Sequence, residues 1–453
     1  MVYAINTSNT GYSHNFNNQN AISRPQMRSS YYETHYPLYQ CDWTGIRGSH
    51  TSRIALSSYR EDTTNRLQVV YSFPETNLPY ESDPNVPIDR SKIEGLDMHK
   101  IAEISVNFPV TKLQWDPSMS LGTSQTERLA TASECLRIYE LSGRPEGGNG
   151  PFRLVERVAL SNSKTKNLNQ LPPLTSFDWC VADPKQIITC SIDTTCTLWD
   201  LSKGVARTQL IAHDSEVFDV KFLYGDKNVF SSCSSDGSIR VFDLRSLEHS
   251  TIIYEPQIKS SASSVAPSPI AYNPSQSSST SPGLKPTPLL RLATSNYNAN
   301  HIAAVEAHGS RVIVLDLRYP GIPIRILSHH QAPINSIEWH PTKNWLLTGS
   351  DDCQAFVYDL SNLDIPRSSS KSDQSPAQDG KSMETNSTGG TSSASTHRSS
   401  RRSKTADLFD NSLTELPAYA YSEDSEINNV TWDVDGQWAG VVSGKGFQAI
   451  KIE

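Results

Sequence analysis

A chain of 453 residues exceeds what one ordinary small core can organise, so one large repeat fold or two to three domains is expected. Forty basic residues against 48 acidic ones give a formal net charge of -8, which excludes the broad positive field of a sequence-independent nucleic-acid binder. Seven cysteines without a CxxC pair fit neither a disulfide framework nor a zinc site. With no 18-residue apolar run and no signal-like N-terminus, they predict a soluble cytoplasmic and nuclear protein with no membrane contact.

Residues 1–28 are rich in Asn, Ser and Gln and predict a disordered tail, because they cannot bury enough surface to offset chain entropy. The Tyr-rich run SYYETHYPLY (30–39) follows, then a unit of three β-rich runs, QCDW, RIALSS and LQVVYS (40–72). A polar insert spans 73–98, and a second unit reads KLQW, RLATASE and LRIYEL (112–141). The third and clearest unit is SFDW, QIITCSID and CTLWDL (176–201), closed by ARTQLIAH; the fourth is VFDVKF, VFSSCSSDGS and IRVFDL (217–244), closed by STIIYE. After a Ser-rich insert at 256–287, a fifth unit reads LLRLA, HIAAVE and RVIVLDL (289–317), and a sixth NSIEW, WLLTGSDD and AFVYDL (335–360). A third insert, 363 to about 415, precedes the last unit, INNVTW, WAGVVS and FQAIKI (427–452).

Alternating Val, Ile, Leu and Phe suit pleated strands with one buried face, and the SxD signals before third runs suit tight turns. Seven units predict an all-β, seven-bladed propeller over residues 29–453, with the inserts as loops whose length costs little. The last unit has no fourth run of its own. Residues near Tyr31 to His35 are therefore expected to supply it, closing the ring and removing an exposed edge.

Trp199-Asp200 and its relatives Phe242-Asp243, Leu315-Asp316 and Tyr358-Asp359, with His213 heading a unit, resemble the WD-repeat family. LTSFDW, SIDTTCTLWDL, TQLIAHDSEVFDV and GSIRVFDLRSLEHSTIIYE resemble one branch of it. That branch comprises the cullin-4-associated factor seven scaffolds of animals and the anthocyanin-regulating and transparent-testa-glabra proteins of plants. The resemblance implies a non-enzymatic scaffold, monomeric within its complexes, for dual-specificity tyrosine-regulated and homeodomain-interacting kinases and for transcription regulators. Some members are also described as substrate receptors of the cullin-4 ubiquitin ligase.

His213, Ser234 and Asp236 invite a hydrolase-triad reading, but His330, Ser350 and Asp352 repeat the set in the sixth unit. Active sites do not recur unit after unit, whereas structural networks do, so these residues, with Asp193 and Trp199, are expected to tie strands together. No catalytic residue, cofactor or metal ligand is expected, because no phosphate loop, HExxH or paired-carboxylate motif occurs. Asp243-Leu244-Arg245 and Asp316-Leu317-Arg318 resemble the Asp-x-Arg end of the box through which cullin-4 receptors dock their adaptor. Their guanidinium forks suit bidentate contacts, and the competing reading is a local pair that fixes the strand end. HSTIIYE (249–255) is expected to be a partly exposed outer strand. The insert after the sixth unit, with its basic HRSSRRSK stretch, either tunes access to the face bearing Arg245 by phosphorylation or is a solvated linker without a regulatory role. Ser268, Ser281 and Ser375, each before a proline, are weaker phosphorylation candidates.

Overall fold

The computed structural model describes residues 28–46, 51–60, 64–75, 95–123, 126–143, 151–161, 171–255, 287–363 and 415–452. Most of the expected tail and of the polar inserts, including the phosphorylation candidates, lies outside them. The rest forms seven four-stranded antiparallel sheets.

Strand β1 (Ser29–Glu33) precedes the first blade, which is β2 (Leu38–Gly45), β3 (Ser52–Ser58), β4 (Asn65–Glu75) and β5 (Gly95–Val106). The second comprises β6 (Lys112–Trp115), a one-turn helix α1 (Ser118–Leu121), β7 (Glu127–Ala132), β8 (Leu136–Ser142) and β9 (Arg153–Leu160). The third is β10 (Leu174–Trp179), β11 (Gln186–Ser191), β12 (Thr195–Asp200) and β13 (Val205–Ile211). The fourth is β14 (Val217–Phe222), β15 (Val229–Ser234), β16 (Ile239–Asp243) and β17 (Ser246–Tyr254). The fifth holds β18 (Leu289–Thr294), β19 (His301–Glu306), β20 (Val312–Asp316) and β21 (Pro323–Leu327); the sixth holds β22 (Ile334–Trp339), β23 (Trp345–Ser350), β24 (Gln354–Asp359) and β25 (Tyr419–Ser422). The last blade takes β26 (Ile427–Trp432), β27 (Trp438–Ser443) and β28 (Gly446–Lys451) from the C-terminal end and its outer strand, β1, from the N-terminal end.

The closing strand runs two residues earlier than the sequence suggests. Ser29 to Glu33 pair with Ile450 to Gly446, while His35 lies in a bend, and Leu38 and Tyr39 already belong to β2. Gly446 permits the pairing, because a Cβ there would meet the Tyr31 ring at 2.3 Å. The first polar insert is also shorter than expected. Residues 73–75 and 95–98 continue the β4–β5 ladder, pairing Phe73 with Asp97 and Pro74 with Leu96.

The apolar core is divided into seven layers, one at each seam between neighbouring blades. Cys190, Cys196, Phe222, Phe230 and Phe242 fill the third-to-fourth seam, and Phe177, Trp179 and Trp199 the second-to-third. A blade buries both faces only by stacking on two neighbours, which is why alternation fails within strands such as β11, buried at every position. The seven cysteines are free, and all but Cys353 are buried, where a thiol packs as a small hydrophobe.

Candidate functional site

Strands alternate in direction, so each blade presents its first-to-second and third-to-fourth turns on one face of the disc. Its second-to-third turn and the link from the preceding blade lie on the other. The expected strand ties sit on the second of these faces. In the fourth blade His213, 1% exposed, lies in the link before β14. Its Nδ1 is 3.0 Å from Asp236 Oδ2 and 3.1 Å from Ser238 Oγ, and its Nε2 is 2.8 Å from Ser232 Oγ. In the sixth blade His330 Nδ1 meets Asp352 Oδ2 at 3.0 Å and Nε2 meets Thr348 Oγ1 at 2.7 Å. The arrangement therefore recurs, but through different hydroxyls from those expected. Period 2 puts Ser232 and Ser234, and likewise Thr348 and Ser350, on one side of their strands, and the hydroxyl two residues short of the strand end is the one that meets the imidazole. Ser234 and Ser350, two residues on, instead accept the backbone N–H of Asp236 and Asp352 and brace the turn.

Asp193 and Trp199 bond within their own blade, with no histidine among their partners in the described residues. Trp199 Nε1 donates to Thr189 Oγ1 at 3.0 Å, and Asp193 Oδ1 accepts from Thr195 N and Oγ1. The third blade thus has the tryptophan without the imidazole. The fourth and sixth have the imidazole with Phe242 or Tyr358 at the tryptophan position, and Phe offers no donor.

On the opposite face, Asp243 and Arg245 form a side-on fork, with Arg245 Nε to Asp243 Oδ1 at 2.8 Å and Nη2 to Oδ2 at 2.7 Å. Asp316 and Arg318 repeat it at 3.0 and 2.7 Å. Both forks also accept the arginine's own N–H, closing the turn. They are not equivalent. The Asp316 side chain is 5% exposed beneath a 53% exposed Arg318, whereas Asp243 is 38% exposed beside a 62% exposed Arg245.

Eight of the sixteen large apolar side chains that the described residues leave exposed stand on the connections of this face. Val181, Tyr224 and Tyr297 stand on first-to-second turns of the third, fourth and fifth blades, and Tyr319 and Ile322 follow Arg318. Among the described residues, the turns and links of the other face expose only Tyr59, Ile192 and Ile211 in this class. Gly321 N donates to Ile253 O of the fourth blade at 2.7 Å, so the turn holding Tyr319 and Ile322 is pinned across the seam. Within HSTIIYE, Ile252 is exposed and Ile253 buried, as an outer strand requires.

The sequence reading missed a charged ring in the central channel. Six of the seven inner strands carry a bulge at one position, as between Leu38 and Gln40 or Val217 and Asp219. A bulge re-aims the next side chain, and here it turns Gln40, Ser176, Asp219, Arg291, Ser336 and Asn429 to the channel that they line with Asp42, Lys112, Lys221 and Glu338. These groups tie each blade to its neighbour. Asp42 accepts from Trp115 N, Gln114 from Trp179 N, Asp178 from Phe222 N, Asp219 from Leu292 N and Glu338 from Trp432 N. Lys221 donates to Asp178 at 3.1 Å. Burial, reinforced by Asp42, raises the Glu338 carboxyl to about 7, and burial raises Asp42 to about 6 against the pull of the Trp115 N–H and Lys112. The signal was a polar residue just before each inner strand's aromatic, as in Asp42-Trp43, Gln114-Trp115, Asp178-Trp179 and Glu338-Trp339.

Between the sixth and seventh blades, His340 Nδ1 accepts the N–H groups of Thr342 and Lys343, so Nε2 carries the proton and donates to Gly436 O at 3.0 Å. Burial lowers this imidazole to about 4, keeping it neutral. Gly436 is at φ +69, and a Cβ there would lie 2.1 Å from the ring.

Among the described residues no cluster of His, Cys, Asp and Glu could hold a metal ion, and no helix is long and apolar enough to cross a membrane. Seven blades, strand ties at their turns and an exposed apolar face define a β-propeller of the protein-interaction class. The WD domain, G-beta repeat profile matches residues 204–243 and 321–359. A WD repeat-containing protein of Saccharomyces cerevisiae is 37% identical over 98% of this chain and 80% of its own. A Schizosaccharomyces pombe WD repeat-containing protein is 33% identical over 91% and 87%, and a DDB1- and CUL4-associated factor 7 homolog of Dictyostelium discoideum is 33% identical over 74% and 85%. The chain belongs to the WD-repeat family.

Proposed function

We propose that this propeller scaffolds protein complexes through the face of its first-to-second and third-to-fourth turns. The observation that carries the reading is the one-sided apolar exposure, centred on Tyr224, Tyr297, Tyr319 and Ile322 beside two arginine forks. Tyrosine and arginine dominate the energetics of protein interfaces, and rigid blades present them without an ordering cost. Protein kinases of the dual-specificity tyrosine-regulated type and transcription regulators are the partners that the branch resemblance supports. The test is affinity purification of the intact protein with mass spectrometry. Tyr319→Asp with Ile322→Asp should remove most partners, while Ile192→Asp with Ile211→Asp on the other face should spare them; the reverse pattern would refute the assignment.

A second reading, a substrate receptor of a cullin-4 ubiquitin ligase, is favoured by the name of the Dictyostelium relative and by the paired Asp-Leu-Arg turns. Each guanidinium holds its aspartate through Nε and Nη2, a posture that turns the opposite edge outward for an adaptor's acceptors. Arg245→Ala with Arg318→Ala should abolish recovery of the ligase adaptor. Unchanged recovery, or none from the wild type, rejects this reading.

A further inference from the structure

The inner strands give the central channel two tiers of side chains, and all seven of these strands are described in full. The first tier is the residue after each bulge, with Gln40, Asp219, Arg291 and Ser336 among its members. Lys112 belongs to it too, standing three residues before Trp115 as Gln40 stands three before Trp43. The second tier lies two residues further on, about 6–7 Å along the strand, and holds Asp42, Gln114, Asp178, Lys221 and Glu338.

The tiers differ in what their bonds leave over. In the second, Lys221 is neutralised by Asp178 at 3.1 Å. In the first, Asp219 spends Oδ1 on Val220 N and Oδ2 on Leu292 N, both at 2.9 Å, and the groups around it are donors. Lys112 makes no hydrogen bond or ion pair among the described residues, although it faces the channel. Arg291 gives Nε to Asn335 O at 2.9 Å and Nη1 to Leu290 O at 3.1 Å, which leaves its Nη2 edge. Gln40 Oε1 accepts from Asn429 Nδ2 at 2.8 Å, leaving the Gln40 N–H groups, and Ser336 Oγ accepts Val430 N at 3.2 Å, leaving its O–H. Burial first, then Lys221, lowers the Lys112 ammonium from its ordinary value against the pull of Asp219, Glu338 and Asp42. A buried cation without a bonded partner is costly, and an anion beside it removes that cost.

We propose that the first tier of the channel binds an oxyanion of the phosphate class, held by Lys112 Nζ and Arg291 Nη2 with Gln40 and Ser336 donating between them. Donors that converge from the first, second, fifth and sixth blades suit a tetrahedral oxyanion, whose acceptors point several ways, better than a planar carboxylate. The carboxylates of the second tier set the depth, because they repel an anion that travels further. The site lies inside the ring, away from the apolar face, and is independent of the scaffold assignment above.

The test is calorimetric titration of the intact protein with inorganic phosphate at an ionic strength fixed by sodium chloride. Saturable binding is expected, with a Kd on the order of millimolar for so small an ion. Lys112→Gln should weaken it about tenfold or more. Because Lys112 has no internal bond to lose, the same variant should also raise the melting temperature in phosphate-free buffer. Lys100→Gln, the same charge change on the exposed outer strand β5, should alter neither. Lack of saturable binding in the wild type overturns the proposal. So does equal affinity in the wild type and Lys112→Gln, the sign of an adventitious ion only, or an equal loss in Lys100→Gln, the sign of a general charge effect. A fall in the phosphate-free melting temperature of Lys112→Gln overturns it as well, since the lysine would then be part of the fold. Given saturable binding, displacement of phosphate by Gly-phosphoserine-Gly assigns the source to a phosphorylated side chain, and failure to displace it assigns the source to a free oxyanion; both outcomes support the site.

Discussion

The third and sixth blades solve one problem differently. Each must fix a tight turn and the link that enters the blade, and each uses a hydroxyl and an aspartate at the same register. The sixth blade spans them with His330, 4% exposed and packed against Phe356 at 4.4 Å. The third spends its hydroxyl on the indole of Trp199 and leaves the aspartate at the surface. The first tie reaches across chain segments, from Asp352 back to residue 330, and the second stays within one sheet. The comparison shows that repeats of this kind keep the backbone and vary the clamp.

The largest effect should come from removing a clamp that reaches across segments. His330→Ala or His213→Ala leaves a buried hydroxyl and carboxylate without their shared partner and should cost about 3 kcal/mol in urea unfolding. A loss under about 1 kcal/mol would make the two kinds of blade equivalent.

The channel, common to all blades, offers a reference of opposite pH dependence. The Glu338 carboxyl, raised to about 7 from 4.5, binds its proton more tightly when folded, so its contribution is complete below pH 4.5 and is lost as pH rises through 7. Glu338→Gln should therefore stabilise the protein by about 2 kcal/mol at pH 8 and change little at pH 4. The clamp runs the other way. Burial pushes the Asp236 carboxyl upward, but hydrogen bonds from His213 and Ser238 outweigh it and hold the carboxyl well below its ordinary 3.8. Its contribution is present above that value and lost on acidification, so Asp236→Asn should flatten the acid limb of a stability curve measured from pH 5 to 2.

Within the third blade the effects should be smaller. Trp199→Phe removes the indole donor while keeping the ring, and should cost about 1 kcal/mol. Asp193→Asn should change stability by less than about 0.5 kcal/mol, as surface changes do. A cost near that of Asp236→Asn would show that the third blade is clamped after all.

How much of this was legible varied by distance along the chain. The equal spacing from Trp179 to Trp199 and from Phe222 to Phe242 exposed the repeat. The missing fourth run of the last unit located the closing strand to within two residues. The Asp-x-Arg turns were legible because each is a contact between residues two apart. The choice of Ser232 over Ser234 was not, because both lie on one side of β15 and the choice depends on how far along the strand the link before β14 brings the His213 ring. The bulges that turn Gln40 and Asp219 into the channel, and the reach of Asp42 to Trp115 N, have no local signal beyond a polar residue before an aromatic.

The sequence by itself determined the number of blades, the order of their strands and the places where loops could grow, since these follow from period 2 and from turn residues a few positions apart. Only the tertiary structure decided which face is apolar, which hydroxyl each imidazole meets and how Asp42, Asp178, Asp219 and Glu338 join neighbouring blades. Those are contacts across seams, made by side chains whose direction is set by a neighbouring blade.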